Sequence, residues 1–240
     1  MVYTRVYEPP PFDIGEIRRY SGMPKTAENA NIDGLIKDCI GEVSDKLIYK
    51  VCLREFAISL DGDIIDLGFI KTASRGIKKN LDGCCGIILF AATVGIGIDR
   101  LIAKYGVTSP GRAVIFQAIG AERTEALCDA FCDDMAREKA RSGLTLRNRF
   151  SAGYGDFPIS AQREIFAALD CPRKIGLTLN ESMLMSPSKS VTAIIGVSPE
   201  DSDNDSKMNI KEHKCENCQK TDCAFRQSAD ENRGVQIIQG

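Results

Sequence analysis

The sequence predicts an α+β fold, with a mixed or antiparallel sheet and helices packed on it. Three observations predict it. Strand-like stretches, either alternating or continuously apolar, occur at 49–54, 64–67, 86–93 and 190–197. Segments with apolar residues three and four apart lie between them, the longest from 110 to about 141. The two kinds do not alternate regularly, as the βαβ units of a parallel sheet would.

Residues 1–12 are proline-rich and extended, and a short helix is expected over 13–20. A clearer helix over 32–47 follows from Ile32, Leu35, Ile36, Cys39, Ile40 and Val43, with Asn31 as its N-cap. Tyr49, Val51 and Leu53 then alternate with Lys50, Cys52 and Arg54, a strand. Asp61, Gly62 and Asp63 make a hairpin turn into 64–67, and 73–80 form a short surface helix. The run from Gly86 to Thr93 is a buried strand. Residues 94–100 open a helix to about Tyr105. Ser109 caps the long helix and Pro110 takes its first position. Gly120, inside that helix, permits close packing. A strand over 147–150, a helix capped by Ser160 and running to Leu169, a strand over 176–179 and a last strand over 190–197 complete a domain of residues 1–198. Residues 199–207 are acidic and polar, a linker, and 208–240 form a cysteine-rich tail.

Hydrophobic residues make up 43% and charged residues 27% of the 240, as in ordinary globular proteins. A net charge of -2 argues against a general nucleic-acid binder, which needs a basic field. No apolar run approaches a membrane span, and the N-terminal residues carry no apolar signal core, so the expected compartment is cytoplasmic. Ten cysteines are then not a disulfide framework. Cys39, Cys52, Cys84, Cys128, Cys132 and Cys171 read as small buried hydrophobes, and Cys85 points away from Cys84.

Gly95 and Gly97 follow a strand and precede a helix, but position 100 is arginine where a dinucleotide fingerprint needs its third glycine. They read as a tight turn, with Asp99 favourable at the helix start. The stretch RFSAGYGDFP, from Arg149 to Pro158, is richer. Arg149 offers a planar fork for a carboxylate, and Tyr154 a ring face and a hydroxyl. Gly153 and Gly155 expose main chain or allow positive φ. Asp156 suits either an amine or a turn cap. On composition alone the stretch reads first as a glycine-rich connection before a capped helix. A second small-residue loop, ESMLMSPSKSVTA, runs from Glu181 to Ala193. In the tail, His213, Cys215, Cys218 and Cys223 give four soft ligands at compact spacing. They suit tetrahedral zinc, an iron–sulfur cluster held mainly by the cysteines, or three reduced thiols. Lys207, Lys211, Lys214 and Lys220 are interspersed with acids and read as a solvated face.

Five segments together resemble the reactivation domain of cobalamin-dependent methionine synthase, especially its free-standing bacterial form. They are RYSG at 19–22, FAATVGIGIDR at 90–100, the stretch 113–129, Arg149 to Pro158, and Glu181 to Ala193. The resemblance spans roughly 13–197. It implies that Arg149, Ser151, Ala152, Gly153 and Tyr154 bind S-adenosylmethionine, the arginine holding the methionine carboxylate. It places the segment of Glu181 and Ser182 beside them. Two departures stand out: Gly155 replaces a proline of the family's long form, and Ile194 and Ile195 replace an aromatic pair.

The resemblance also implies an activity, the reductive methylation of inactive Co(II) cobalamin held on a partner. That partner would be a cobalamin-dependent methionine synthase or another corrinoid protein, with flavodoxin or ferredoxin as electron donor. The chain lacks the Asp-x-His-x-x-Gly pattern by which many corrinoid proteins ligate cobalt, so cobalamin is expected on another polypeptide. Such chemistry asks the protein mainly to position a methyl group, and no catalytic acid or base is expected. Two other readings stay open: a non-catalytic docking or regulatory module for a corrinoid protein, and an iron–sulfur redox protein on the same fold.

Overall fold

The computed structural model describes residues 1–24 and 29–200. The first half comprises β1 (Tyr3–Val6), α1 (Ile14–Tyr20), α2 (Ala30–Val43), β2 (Lys50–Ala57), β3 (Ser59–Asp61), β4 (Ile64–Asp66), β5 (Lys71–Thr72), α3 (Arg75–Asn80) and β6 (Gly86–Thr93). Next come α4 (Gly97–Thr108), α5 (Pro110–Ala140), β7 (Leu144–Leu146), α6 (Gln162–Leu169) and α7 (Cys171–Ile175). The last strands are β8 (Thr178–Leu179), β9 (Met185–Ser186) and β10 (Ser190–Pro199). The expected α+β class holds. The main sheet has the order β1-β2-β6-β10-β7, and every pairing in it is antiparallel.

Alternation along the strands explains the layering. Val51, Leu53, Ile88, Phe90, Ala193 and Ile195 face one way, into a core with α1, α2, α4 and α5. Cys52, Ile87, Leu89, Ala91 and Ile194 face the other, onto β4, α3, α6 and α7. A strand covered on both faces cannot alternate apolar with polar, so β6 and β10 read as continuous apolar runs. Phe131 of α5 packs its ring 4.6 Å from Phe90 of β6, which seats the long helix on the sheet. No helix among the described residues is long and apolar enough to cross a membrane.

Several boundaries differ from expectation. Asn29, not Asn31, caps α2, because its side chain accepts from the N–H groups of Asn31 and Ile32, and the helix gives way to a tighter turn at Ser44. α4 runs on to Thr108. Ser109 stands at the N-cap of α5, but its hydroxyl makes no capping bond. The strand expected over 147–150 is displaced to Leu144–Leu146, with one further bridge between Phe150 and Ile194. Arg147 keeps the alignment by donating its N–H to the Gly196 carbonyl. Ser160 lies inside a single tight turn before α6 rather than capping it. The strand expected over 176–179 is reduced to β8, because the unforeseen α7 ends only at Gly176. Cys39, Cys52, Cys128, Cys132 and Cys171 are buried, Cys84 is half-buried and Cys85 is exposed. Gly97 is explained by space: a side chain there would run into the Lys46 carbonyl.

A buried clamp fixes the N-terminal arm. Arg123 of α5 is 0% exposed and pairs with Glu122. Its guanidinium donates to the carbonyls of Pro10 and Pro11 and lies 4.0 Å over the Phe12 ring. Glu122 accepts from the Asp13 N–H, and the Asp13 carboxylate caps α1. α1 is thereby registered on α5. β10 continues to Pro199, paired with Leu144. The rest of the expected linker, 201–207, and the tail, 208–240, lie outside the described residues.

Candidate functional site

The end of α1, the middle of α5 and the loop before β10 meet at an open cleft of about 180 Å³. Tyr20, Thr124, Glu125, Ser188, Lys189 and Ser190 line it. Each is held by its neighbours. The Arg19 guanidinium lies 4.2 Å over the Tyr20 ring. The Thr124 hydroxyl donates to the Gly120 carbonyl one turn back. The Ser188 N–H donates to the Asp99 carboxylate at 2.9 Å, and its hydroxyl donates there too. The Ser190 hydroxyl lies 2.8 Å from both Thr93 Oγ1 and the Pro187 carbonyl. Asp99 therefore anchors the loop, a role beyond the helix-start preference read from the sequence.

Lys189 lies between those two anchored serines. Its own carbonyl accepts from the Val94 N–H. Its aliphatic stem runs across Gly120, where a Cβ would sit 2.8 Å from Cγ and Cε. That is the close packing expected of this glycine. Burial holds the Lys189 ammonium below the usual lysine range, with the Asp99 charge opposing the shift. It makes no hydrogen bond or ion pair among the described residues.

Arg149 meets the cleft through one of its lining residues, Glu125. Its side chain is 18% exposed, and Nη2 donates to Glu125 and Asp129, both at 3.0 Å. Those acids are four residues apart on α5 and so share a face. Glu125 thus joins Arg149 to the cleft. The following turn is built on its own backbone: Gly153 N–H donates to the Phe157 carbonyl, Tyr154 to Ser151, and Phe157 to Tyr154. Gly153 and Gly155 have φ of +87° and +55°. Ala152 is buried, while Tyr154 is 71% exposed, its ring edge-on to Phe150 at 5.7 Å. Asp156 reaches away from its own turn to the start of α3: it accepts from the Ser74 hydroxyl at 2.5 Å and from the N–H groups of Arg75 and Gly76. Those donors hold its carboxyl below the usual range.

The expected residues are therefore divided. Arg149 borders the cleft through Glu125, and Ser151 to Tyr154 continue from it as a turn. Glu181 and Ser182 sit exposed in the tip between β8 and β9, where Asn180 and Leu184 close the turn. The later part of that segment, Ser188 to Val191, lines the cleft instead. Sequence reasoning passed over Tyr20, Thr124, Glu125, Ser188, Lys189 and Ser190 as individual residues. Each lies within a segment quoted for the resemblance, which was the available signal. His213, Cys215, Cys218 and Cys223 lie outside the described residues. Among the described residues, no group of three or more His, Cys, Asp and Glu side chains is placed to hold a metal ion.

The fold defines an α+β module with helices on both faces of an antiparallel sheet and an open cleft at the end of α1. Residues 67–222 match the family described as vitamin B12 dependent methionine synthase, activation domain, and the chain belongs to that family. Its fold is similar to a crystal structure of the MetH reactivation domain bound to AdoHcy. The TM-score is 0.58 and the identity 18%, over 86% of this chain and 81% of that one. A comparison with curated proteins found no match.

Proposed function

We propose that this chain binds S-adenosylmethionine in the Tyr20–Glu125–Lys189 cleft and supports reductive methylation of inactive Co(II) cobalamin carried by a partner. One observation carries the reading. Segments far apart in sequence, each quoted for the resemblance, converge on one cleft: Tyr20, Thr124 with Glu125, Ser188 to Val191, and Arg149 through Glu125. The similar fold is described with AdoHcy, the demethylated form of this ligand, bound to it.

The cleft's chemistry suits a sulfonium amino acid. Glu125 offers a carboxylate to the ligand's cationic groups. Arg149 stands at the amino-acid end, and the Ser151–Tyr154 turn, with its exposed ring, flanks it. The protein contributes by orienting the methyl group and limiting its motion. The corrinoid supplies a metal that accepts the methyl group, and an electron donor of the flavodoxin or ferredoxin class supplies the reductant. Family membership supports a cobalamin-dependent methionine synthase as the partner.

Arg149→Ala is expected to weaken S-adenosylmethionine binding by about 1–3 kcal/mol, the scale of a charge-assisted contact. Calorimetry showing unchanged binding removes Arg149 from the site. Single-turnover transfer of labelled methyl to a Co(II) corrinoid protein, with reductant present, tests the activity. Binding without transfer would favour the docking or regulatory reading. The spacing of His213, Cys215, Cys218 and Cys223 supports a metal site on the same chain. Stoichiometric zinc in the anaerobically purified protein would exclude the iron–sulfur redox reading.

A further inference from the structure

Two of the free cysteines meet inside the protein. Cys52 lies on β2 and Cys171 opens α7, and both are 0% exposed in the core beneath α3, α6 and α7. Their thiols hydrogen-bond to each other, although β2 and α7 are far apart along the chain. The contact decides which sulfur gives up its proton first. The bond from Cys171 holds the Cys52 thiol below its usual range, and the Lys174 charge acts the same way against burial. The same bond, with burial, pushes Cys171 up. A thiol primed to ionise beside a second that keeps its proton is the arrangement on which thiol–disulfide chemistry runs.

The place of the pair in the fold gives it reach. α7 lies on the segment that carries both loops bordering the cleft, with the glycine-tyrosine turn before it and Ser188 to Val191 after it. The helix is five residues long and is bounded by two left-handed residues, Asp170 at φ 49° and Gly176 at φ 71°. Pro172, Arg173 and Lys174 are exposed, so Cys171 lies directly beneath a solvated helix face. A short peripheral element of this kind opens locally at far lower cost than the sheet does, which admits a small oxidant.

We propose that Cys52 and Cys171 are a redox-sensitive pair that closes to a disulfide and ties α7 to β2, with a peroxide as the oxidant. The Cys52 thiolate attacks one peroxide oxygen, the O–O bond breaks, and a sulfenic acid on Cys52 and one water result. The Cys171 sulfur then displaces the hydroxyl as a second water and forms the S–S bond. The pair has lost two electrons and two protons, and the peroxide has gained them. A dithiol reductant reverses the step through a mixed disulfide. The tie pins the segment between the two cleft-bordering loops to the sheet, whatever ligand the cleft takes.

The test uses the full chain, fully reduced and then exposed to hydrogen peroxide while folded. Remaining thiols are alkylated, and the chain is digested with trypsin without reduction. Residues 51–54 and 164–173 should be recovered as one disulfide-linked pair, which dithiothreitol separates. The unfolding midpoint of the oxidised chain should rise by on the order of 5–10 °C, the scale for a cross-link closing so long a loop, and Cys171→Ala should abolish that rise. Amide exchange over α6 and α7 should slow several-fold on oxidation. If the exposed Cys85 is oxidised while the linked pair is absent, or if the pair forms only in urea, the proposal is overturned. A pair that forms without slowing exchange overturns the pinning of the segment. The peptide mapping is done on the unsubstituted chain, so its result does not depend on a variant folding.

Discussion

Replacing Arg123 with methionine should expose how strongly the fold depends on one buried ion pair. Arg123 is 0% exposed and Glu122 only 3%. The guanidinium donates Nε to Glu122 at 2.5 Å, also meets that carboxylate through Nη2, and satisfies the Pro10 and Pro11 carbonyls. Removing one partner leaves the Glu122 charge buried and unanswered, which costs about 3–5 kcal/mol. Urea unfolding followed by circular dichroism should therefore show a lower midpoint at an unchanged slope. The double variant Glu122→Gln, Arg123→Met removes both charges together, so its loss should be smaller than that of Arg123→Met alone. The clamp also registers α1, so Tyr20 should loosen and ligand affinity fall alongside stability. A single variant costing less than about 1 kcal/mol, or a double variant costing more than the single, would refute the reasoning.

Two further outcomes are expected. Gly120→Ala gains about 1 kcal/mol of helix propensity but displaces the Lys189 stem, at an off-rotamer cost of similar size. Stability should then change little while ligand affinity falls several-fold, which thermal unfolding and calorimetry on the same sample will separate. Glu42 sits on α2, where burial works to raise its pKa, but hydrogen bonds from Tyr105, Lys104 and Arg112 lower it overall. A carboxyl lowered on folding contributes stability above its unfolded pKa, and this is lost as pH falls through the folded value. Glu42→Gln should therefore destabilise the protein near neutrality and flatten the acid limb of its stability profile, measured by unfolding between about pH 7 and pH 3.

The α+β architecture was legible because its central elements have long, uniform signals. β6 is eight residues with seven buried in succession, and α5 opens on Pro110 at the foreseen place. What escaped was short. β1 is a four-residue edge strand beside a proline cluster, and β5, β8 and β9 have two residues each, too few to show a period. The cap of α2 was displaced by two positions because Asn29 and Asn31 are chemically equivalent and only geometry chooses between them. In the site, Arg149 could be read from its motif. The acids that receive it could not, since Glu125 and Asp129 are 24 and 20 residues away and are ordinary exposed-helix residues in pattern. Lys189 had no local signature either. Its distinction is a stem lying over Gly120, 69 positions earlier in the chain, a property of three-dimensional packing.

Asp156 carries a mechanical consequence. Its carboxylate grips the first turn of α3, and Gly76 of that helix is so close to Phe150 that a Cβ would sit 2.9 Å from the ring. The glycine-tyrosine turn and α3 are therefore tied together, though about eighty residues separate them along the chain. A substitution that shifts α3 is therefore expected to reach Phe150, the residue beside Arg149, through Asp156 and Gly76.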